Sequence, residues 1–408
     1  MAERRQSPLN LQVLLAAVEA APPLAAAEVV GAALAESFGA RDVSFLIADF
    51  SGQSLFRLSH VSADADDGAL DRERSEAVSI IGTPHGRALT QQKLEVVAED
   101  GGVRLIAPVS SRGEAVGVLE ALIDEEPDEL MIDGISSAAH ALAYIVIANR
   151  RFTDLFEWGQ RSRPLSLEAE IQHRLLPGSY TCEAGQFTLA GWLEPAGDVG
   201  GDTFDFSLER DTVHLSLTDA MGHTLDAALL ATVLIGSLRN TRRRGVSLAE
   251  QARTANRALS KYASEGAFVT GQLVRVDLPS ETARIVNAGH PAPVRVRDGR
   301  AARVPLQTDP PFAARASGEY QVQTLPLEPG DRLVFLTDGM LEGNATEVDV
   351  CSVMTACHHL HAREAVQELT RAVVEACGGE LRDDATVLCF DWHGGPPRDR
   401  DTSAGADR

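Results

Sequence analysis

The run DTFDFSLERDTVHLSLTDA constrains the fold most, because it permits little except a β-hairpin with an acidic residue at each open end. Apolar and polar residues alternate through TFDFSL and again through VHLSL, the period of a half-buried strand, and Glu209-Arg210-Asp211 supplies the turn. Folding the chain about Arg210 sets Asp202 beside Thr218 and Asp219. Two carboxylates brought to one sheet edge repel unless a cation neutralises them. The plainer alternative is a pair of ordinary strand-end aspartates, which are common in turns.

A second acidic edge lies further on. DRLVFLTDG reads as a strand running into Asp338-Gly339, and DDATVLCFDW starts a strand just after Asp383 and Asp384. If the two are antiparallel neighbours, the end of one and the start of the other share an edge, and Asp202, Asp219, Asp338 and Asp383 gather at strand ends. Carboxylates with water suit the octahedral preference of hard cations such as Mg²⁺ and Mn²⁺.

At 408 residues, two domains plus connectors are expected. A composition of 44% hydrophobic and 24% charged residues is that of a soluble globular protein. No unbroken run of about 18 apolar residues occurs, so no membrane span is expected. The start, MAERRQSPLN, lacks the apolar core of a signal peptide. Five cysteines without a Cys-x-x-Cys pair point to thiols in a reducing cytoplasm rather than a disulfide framework. The net charge of −22 argues against a nucleic-acid partner; it suits a divalent cation without establishing one.

Residues 1–21 read as a leader, loose or forming a first helix. From about Ala25 a helical pattern (Val29, Ala33, Leu34, Phe38) leads to a strand over Asp42–Phe50, a polar loop over Ser62–Arg74, and a hairpin, VRLIAPV and AVGVLEALI, turning at Gly113. A helix follows over Glu129–Trp158. Its residues Ile135, Ala138, Leu142, Ile145, Asn149, Phe152 and Phe156 fit either a coiled-coil seam joining a homodimer or one amphipathic helix packed on its own domain. Arg161–Pro164 breaks the pattern before a helix over Leu165–Leu176, so that 149–178 form a helical linker. From 179 to 393 short β-runs and helices at Leu225–Arg242 and Leu248–Tyr262 make an α+β layout with mainly antiparallel pairing. Residues 394–408 have almost no apolar content and are expected to be a disordered tail.

Two resemblances add to this reading. The order of elements over residues 22–148 resembles a GAF domain, a small α/β sensor module, which implies a possible small-molecule ligand there. The segments EAEIQHRLLP, EPAGDVGGDTFDF, TDAMGHTLDAALLA, VNAGHPAPV, FLTDGMLEG and DDATV, in that order, resemble the motifs of bacterial metal-dependent phosphatases of the protein-phosphatase-2C class, in the sporulation and stress-response branch. That resemblance implies an αββα sandwich and a two-metal site (Mn²⁺ or Mg²⁺) hydrolysing phosphoserine or phosphothreonine. Its substrate would be a STAS-type anti-anti-sigma factor. Asp219 would bridge the ions, Asp202 and the Ala220 carbonyl would complete one site, and Asp338 and Asp383 would serve the other. Asp383, rather than the adjacent Asp384, corresponds to the ligand. Two departures stand out. Thr224 occupies a position often held by glycine, and PLQTDPPFAA replaces a Pro-Leu-Gly-Leu type of segment.

Other candidates are weaker. His290 and His223 read as turn histidines rather than proton donors. Cys357-His358-His359-Leu360-His361 would scatter its side chains around a helix instead of holding zinc. Arg242-Arg243-Arg244 suit a helix C-terminus. The competing function is a phosphatase-like scaffold that binds a partner without turnover.

Overall fold

The computed structural model describes residues 9–50, 52–62, 77–161, 164–196, 200–222, 224–314, 318–379, 381–396, 402–403 and 406–407. The chain divides into two units, Met1–Pro164 with Arg400–Arg408, and Leu165–Asp399.

In the first unit, the described part of the leader is mainly helix α1 (Leu11–Ala20), started by Asn10, whose Oδ1 accepts from the backbone N–H of Gln12 at 3.0 Å. The expected periodicity yields α2 (Ala26–Phe38), which buries Val30, Leu34 and Phe38 and stops at Gly39 in the left-handed region. Strands β1 (Asp42–Ala48), β2 (Ser54–Ser62), β3 (Val78–Ser79), β4 (Glu95–Glu99), β5 (Gly102–Ser111) and β6 (Glu114–Ile123) form one antiparallel sheet in the order β3-β2-β1-β6-β5-β4. The β5–β6 hairpin turns on Arg112 and Gly113, both at positive φ, the geometry that matches strand twist. Strands β3 and β4 and helix α3 (Pro84–Gln91) were not foreseen; they are short, and β3 and β4 are the edges of the sheet. The loop expected over Ser62–Arg74 falls almost wholly outside the described residues.

Helix α4 (Glu129–Asn149) ends earlier than expected, and α5 (Leu155–Gly159) resumes after a turn. The supposed coiled-coil stripe is consumed internally. Ile135, Ala138, Leu142, Ile145 and Phe156 are buried with Phe45, Ile47, Leu105 and Ala121, whereas Phe152 is 73% exposed. An apolar stripe covers whichever apolar face is nearest, and here the unit's own sheet provides one. These contacts are those of the second expected reading, one amphipathic helix packed on its own domain. By length and composition α4 could also cross a membrane, which a search for unbroken apolar runs overlooks because Asp133 interrupts it; its inner face is spent in this core instead.

The second unit opens with α6 (Leu167–Leu175), capped by Ser166. Strands β7 (Thr181–Glu183), β8 (Phe187–Glu194), β9 (Asp202–Leu208) and β10 (Thr212–Ala220) precede α7 (Leu225–Arg243) and α8 (Leu248–Leu259). Then come β11 (Val269–Asp277), β12 (Thr282–Ala288), β13 (Val294–Arg297), β14 (Arg300–Arg303), β15 (Gln323–Pro326) and β16 (Arg332–Leu336), followed by α9 (Val350–Ala356), α10 (Ala362–Ala376) and β17 (Ala385–Trp392). Two antiparallel sheets result, β15-β12-β11-β10-β9 and β14-β13-β16-β17-β8-β7. Strand alternation sends Phe204, Leu215, Leu217 and Val274 inward against Phe187, Phe335, Leu388 and Phe390. The opposite faces take Leu234, Ile235 and Ala255 of α7 and α8 on one side, and Val366, Leu369 and Val373 of α10 on the other. This is the expected αββα sandwich. None of the five cysteines is in a disulfide. Within the stretch expected to be disordered, Thr402–Ser403 pairs with Ala406–Asp407.

Candidate metal centre

The hairpin folds in the register the alternation implies. Asp219 lies directly opposite Asp202 on β9 and β10. In the other sheet β16 and β17 are antiparallel neighbours, with Leu336 opposite Val387 and the Thr337 N–H donating to the Thr386 carbonyl at 3.0 Å. Asp338 and Asp383-Asp384 therefore flank one edge. The two sheets meet at Asp202, whose Oδ2 accepts from the hydroxyls of Thr337 (2.7 Å) and Thr386 (2.5 Å). All four expected aspartates thus come to one end of the sandwich.

The electrostatics there are those of a site short of positive charge. Burial, then the charges of Asp219 and Asp384, raise Asp202 well above the usual carboxylate range. Burial, then Asp338, Asp383 and Asp384, push Asp219 up to about 7. Asp338 is raised by burial, Glu342 and Asp383, and Asp384 is pushed to about 6, mainly by burial.

Glycine makes the close approaches possible. A Cβ on Gly201 would lie 2.2 Å from the Ala220 carbonyl oxygen, and one on Gly200 would lie 1.6 Å from Asp384 Oδ2. The adjacent aspartates differ in duty. Asp384 is 1% exposed and accepts from the Ala196 N–H (2.9 Å) and from the Gln172 side-chain amide, whereas Asp383 is exposed. Thr224 causes no strain, because it sits in extended backbone at φ −121; the residue at positive φ is Gly222. The donor set, carboxylates and a carbonyl, fits a hard divalent cation. Among the described residues, no three His, Cys, Asp or Glu side chains already converge as a closed ligand set. Sites for such ions commonly use one or two carboxylates completed by water.

Sequence reasoning missed three kinds of support. Gln172 sits in a quoted motif, yet nothing local shows that its amide reaches the Asp202 carbonyl (2.9 Å) from α6. Thr337 and Thr386 adjoin named aspartates, and a strand-end threonine beside each acidic pair was the available signal. Arg242 was read as a dipole partner; it ends α7 as expected, but its guanidinium also pairs with Asp205 at 2.8 Å, as Arg239 does at 2.9 Å. His361 caps α10 and reaches Glu183, and His358 bonds the Thr355 carbonyl, so that tract is structural. His223 lies outside the described residues. The segment at Pro310 is stitched to the first sheet, with Phe312 bridged to Val269 and Asp309 to Ala288.

Residues 209–393 match the family described as Stage II sporulation protein E (SpoIIE). Among curated proteins, phosphoserine phosphatase RsbP of Bacillus subtilis (strain 168) is 22% identical over 189 residues, 45% of this chain and 46% of RsbP. Phosphoserine phosphatase RsbU of the same organism is 19% identical over 231 residues, 55% of this chain and 68% of RsbU. The chain thus spans about half the length of RsbP. Among solved structures, the RsbU and RsbW domains of Rv1364c from Mycobacterium tuberculosis align at 23% identity and TM-score 0.46, over 54% of this chain and 64% of that one. The second unit is a phosphatase domain of the protein-phosphatase-2C class. Within that class it is of the SpoIIE type, with RsbP and RsbU among its homologues.

Proposed function

We propose that the chain is a protein serine/threonine phosphatase. In this reading Asp219 would be shared between two Mn²⁺ or Mg²⁺ ions, Asp202 and the Ala220 carbonyl would help to hold one, and Asp338 and Asp383 the other. The ions supply an activated water and neutralise phosphoryl oxygens. The chain's own residues set the stage. Thr337 and Thr386 fix Asp202, Gln172 and the Ala196 N–H occupy Asp384, and Asp383 is left facing outward. The observation that carries this is the Asp202–Asp219 pairing with two further acidic strand ends beside it, inside a SpoIIE-type domain.

The substrate in this proposal is a phosphorylated STAS-type anti-anti-sigma factor, a reading motivated by the two phosphoserine phosphatases among its relatives. The first unit, one antiparallel sheet with helices on a face, acts as a GAF-like sensor for a small molecule. The test is phosphate release from a phosphoserine-bearing STAS protein with and without Mn²⁺. Release should require the metal and vanish in Asp219→Ala; equal rates in both proteins would defeat the proposal. The scaffold reading draws on one observation, that the carboxylates do not already converge on a closed ligand set among the described residues. Tight binding of the phosphoprotein with no metal-dependent release would favour it.

A further inference from the structure

The segment PLQTDPPFAA, residues 305–314, ends beside the acidic edge without contributing to it. Register places it there. Asp219 lies opposite Thr270 and Ala220 opposite Val269 across β10 and β11, and the Met221 N–H continues the pairing by donating to the Phe268 carbonyl at 3.1 Å. On the other side of β11, Val269 exchanges both backbone hydrogen bonds with Phe312, at 3.0 and 2.8 Å. Phe312 is fully buried, with its ring centre 5.2 Å from that of Tyr320, so the segment is fixed to the strand that ends at the acidic edge. Where it leaves β11, a pocket of about 370 Å³ lies between it and the turn that follows α8. Ala263, Ala267, Ala313, Ala314 and Phe268 make most of the wall, and the exposed Glu265 is its charged residue among those described.

The wall is built against the preference of the backbone. Ala313 sits at φ +68, in the left-handed region that alanine seldom enters, and Asn256 of α8 holds it there by accepting its N–H at 2.8 Å. Asn256 is itself 1% exposed. A gap left by loose packing needs no such residue, whereas strained backbone persists only where its surroundings hold it, and it gathers at ligand clamps. Polar groups in the turn are spent internally. Ser260 Oγ donates to the Asn256 carbonyl at 2.9 Å, and the Ser264 carbonyl accepts from the Ala267 N–H at 3.0 Å. Two large side chains adjoin the lining residues, Met221 paired with Phe268 and Tyr262 just before Ala263, and they are 46% and 69% exposed. Small apolar walls beside an exposed methionine and tyrosine fit an apolar side chain brought by a partner. Because the pocket continues the acidic edge, that partner is the one whose phosphoryl group is brought to Asp219.

We propose that this pocket is a specificity subsite of the phosphatase, taking an apolar side chain two or three residues from the phosphoserine of a protein substrate. Phe268 lies about 7 Å along β11 from Thr270, a distance that two residues of extended substrate also cover. The subsite rests on the phosphatase reading above. The test is Mn²⁺-dependent phosphate release from synthetic phosphoserine peptides of glycine and serine, each carrying one leucine up to three residues to either side of the phosphoserine. With the native full chain, leucine two or three residues away on one side should raise kcat/KM about tenfold over the leucine-free peptide. Ala314→Phe fills the pocket and should abolish that ratio. Ser264→Phe, entering from the turn after α8, should do the same, and it carries the test if Ala314→Phe lowers the unfolding midpoint. A merely structural role would slow all peptides together and leave the ratio intact. No gain from leucine at any position, or a gain that survives both fillings, overturns the subsite, while metal-dependent release from the leucine-free peptide keeps the phosphatase reading. If the native chain shows no leucine preference and the filled variants change its sedimentation, a second copy occupies the pocket, which also overturns the proposal. No metal-dependent release from any peptide or from a phosphorylated STAS protein ends the phosphatase reading and the subsite with it.

Discussion

Glu120 of the first unit and the acidic edge of the second are buried carboxylates treated in opposite ways. In the first unit Glu120 on β6 is 3% exposed and meets His85 from α3, Arg57 from β2 at 3.5 Å and Arg104 from β5 at 3.6 Å. Burial raises its pKa, but the His85 hydrogen bond and the charges of His85, Arg104 and Arg57 outweigh that, and the net shift is downward. In the second unit Asp202, Asp219, Asp338 and Asp384 are all shifted upward, by burial and by one another. The chain supplies the counter-charge in one place and only hydroxyls and amides in the other. A buried acid neutralised from within is finished structure, whereas a group of acids left to repel one another is arranged for a cation from outside.

The sharpest way to break this contrast is to separate the neighbouring aspartates. Asp383→Asn should cut metal-dependent phosphate release on the order of a thousandfold with little change in unfolding midpoint. Asp384→Asn, by losing a buried acceptor, should lower the midpoint more than it lowers Mn²⁺ binding. The mirror experiment in the first unit is Glu120→Gln, which takes the carboxylate from His85 and from the shared field of Arg57 and Arg104, although Arg104 keeps its pair with Glu99. A loss of about 3 kcal/mol in denaturant unfolding is expected, with Mn²⁺ affinity unchanged. Gln172→Ala removes a donor shared by the Asp202 carbonyl and Asp384, and Mn²⁺ affinity should fall about tenfold.

Acid should sharpen the contrast further. Because the folded pKa of Glu120 lies below its unfolded value, its stabilisation is complete above the unfolded pKa and is lost as pH falls through the folded one. Amide exchange in β6 should therefore accelerate at acid pH in the native chain and show less pH response in Glu120→Gln. The smallest effect belongs to Phe152→Ser, within about 0.5 kcal/mol, since the ring is exposed. Ile135→Ala on the same supposed stripe should cost several times more.

Much of the second unit was legible because its signals are local. Alternation fixes the strands, the three-residue turn fixes the register, and register alone sets Asp202 against Asp219. The αββα layering came from the ordered motifs, and the strand ends at Asp338 and Asp383 followed once β16 and β17 were neighbours. What stayed hidden depends on contacts between distant elements. The hydroxyls on Asp202 come from the opposite sheet, and Gln172 reaches Asp384 across 212 positions of sequence. In the first unit the apolar stripe of α4 was visible, but no sequence period says whether such a stripe faces a sheet or a second helix. Strands β3 and β4 escaped because edge strands this short carry too few residues to show a period.

The central claim is that the acidic end of the sandwich is built to be neutralised by metal. Equilibrium dialysis of the full chain against Mn²⁺, counting bound ions, tests it most directly. Two ions per chain are expected for the native protein and a clear loss for Asp219→Asn. Binding of no Mn²⁺, or equal binding by both proteins, would contradict it.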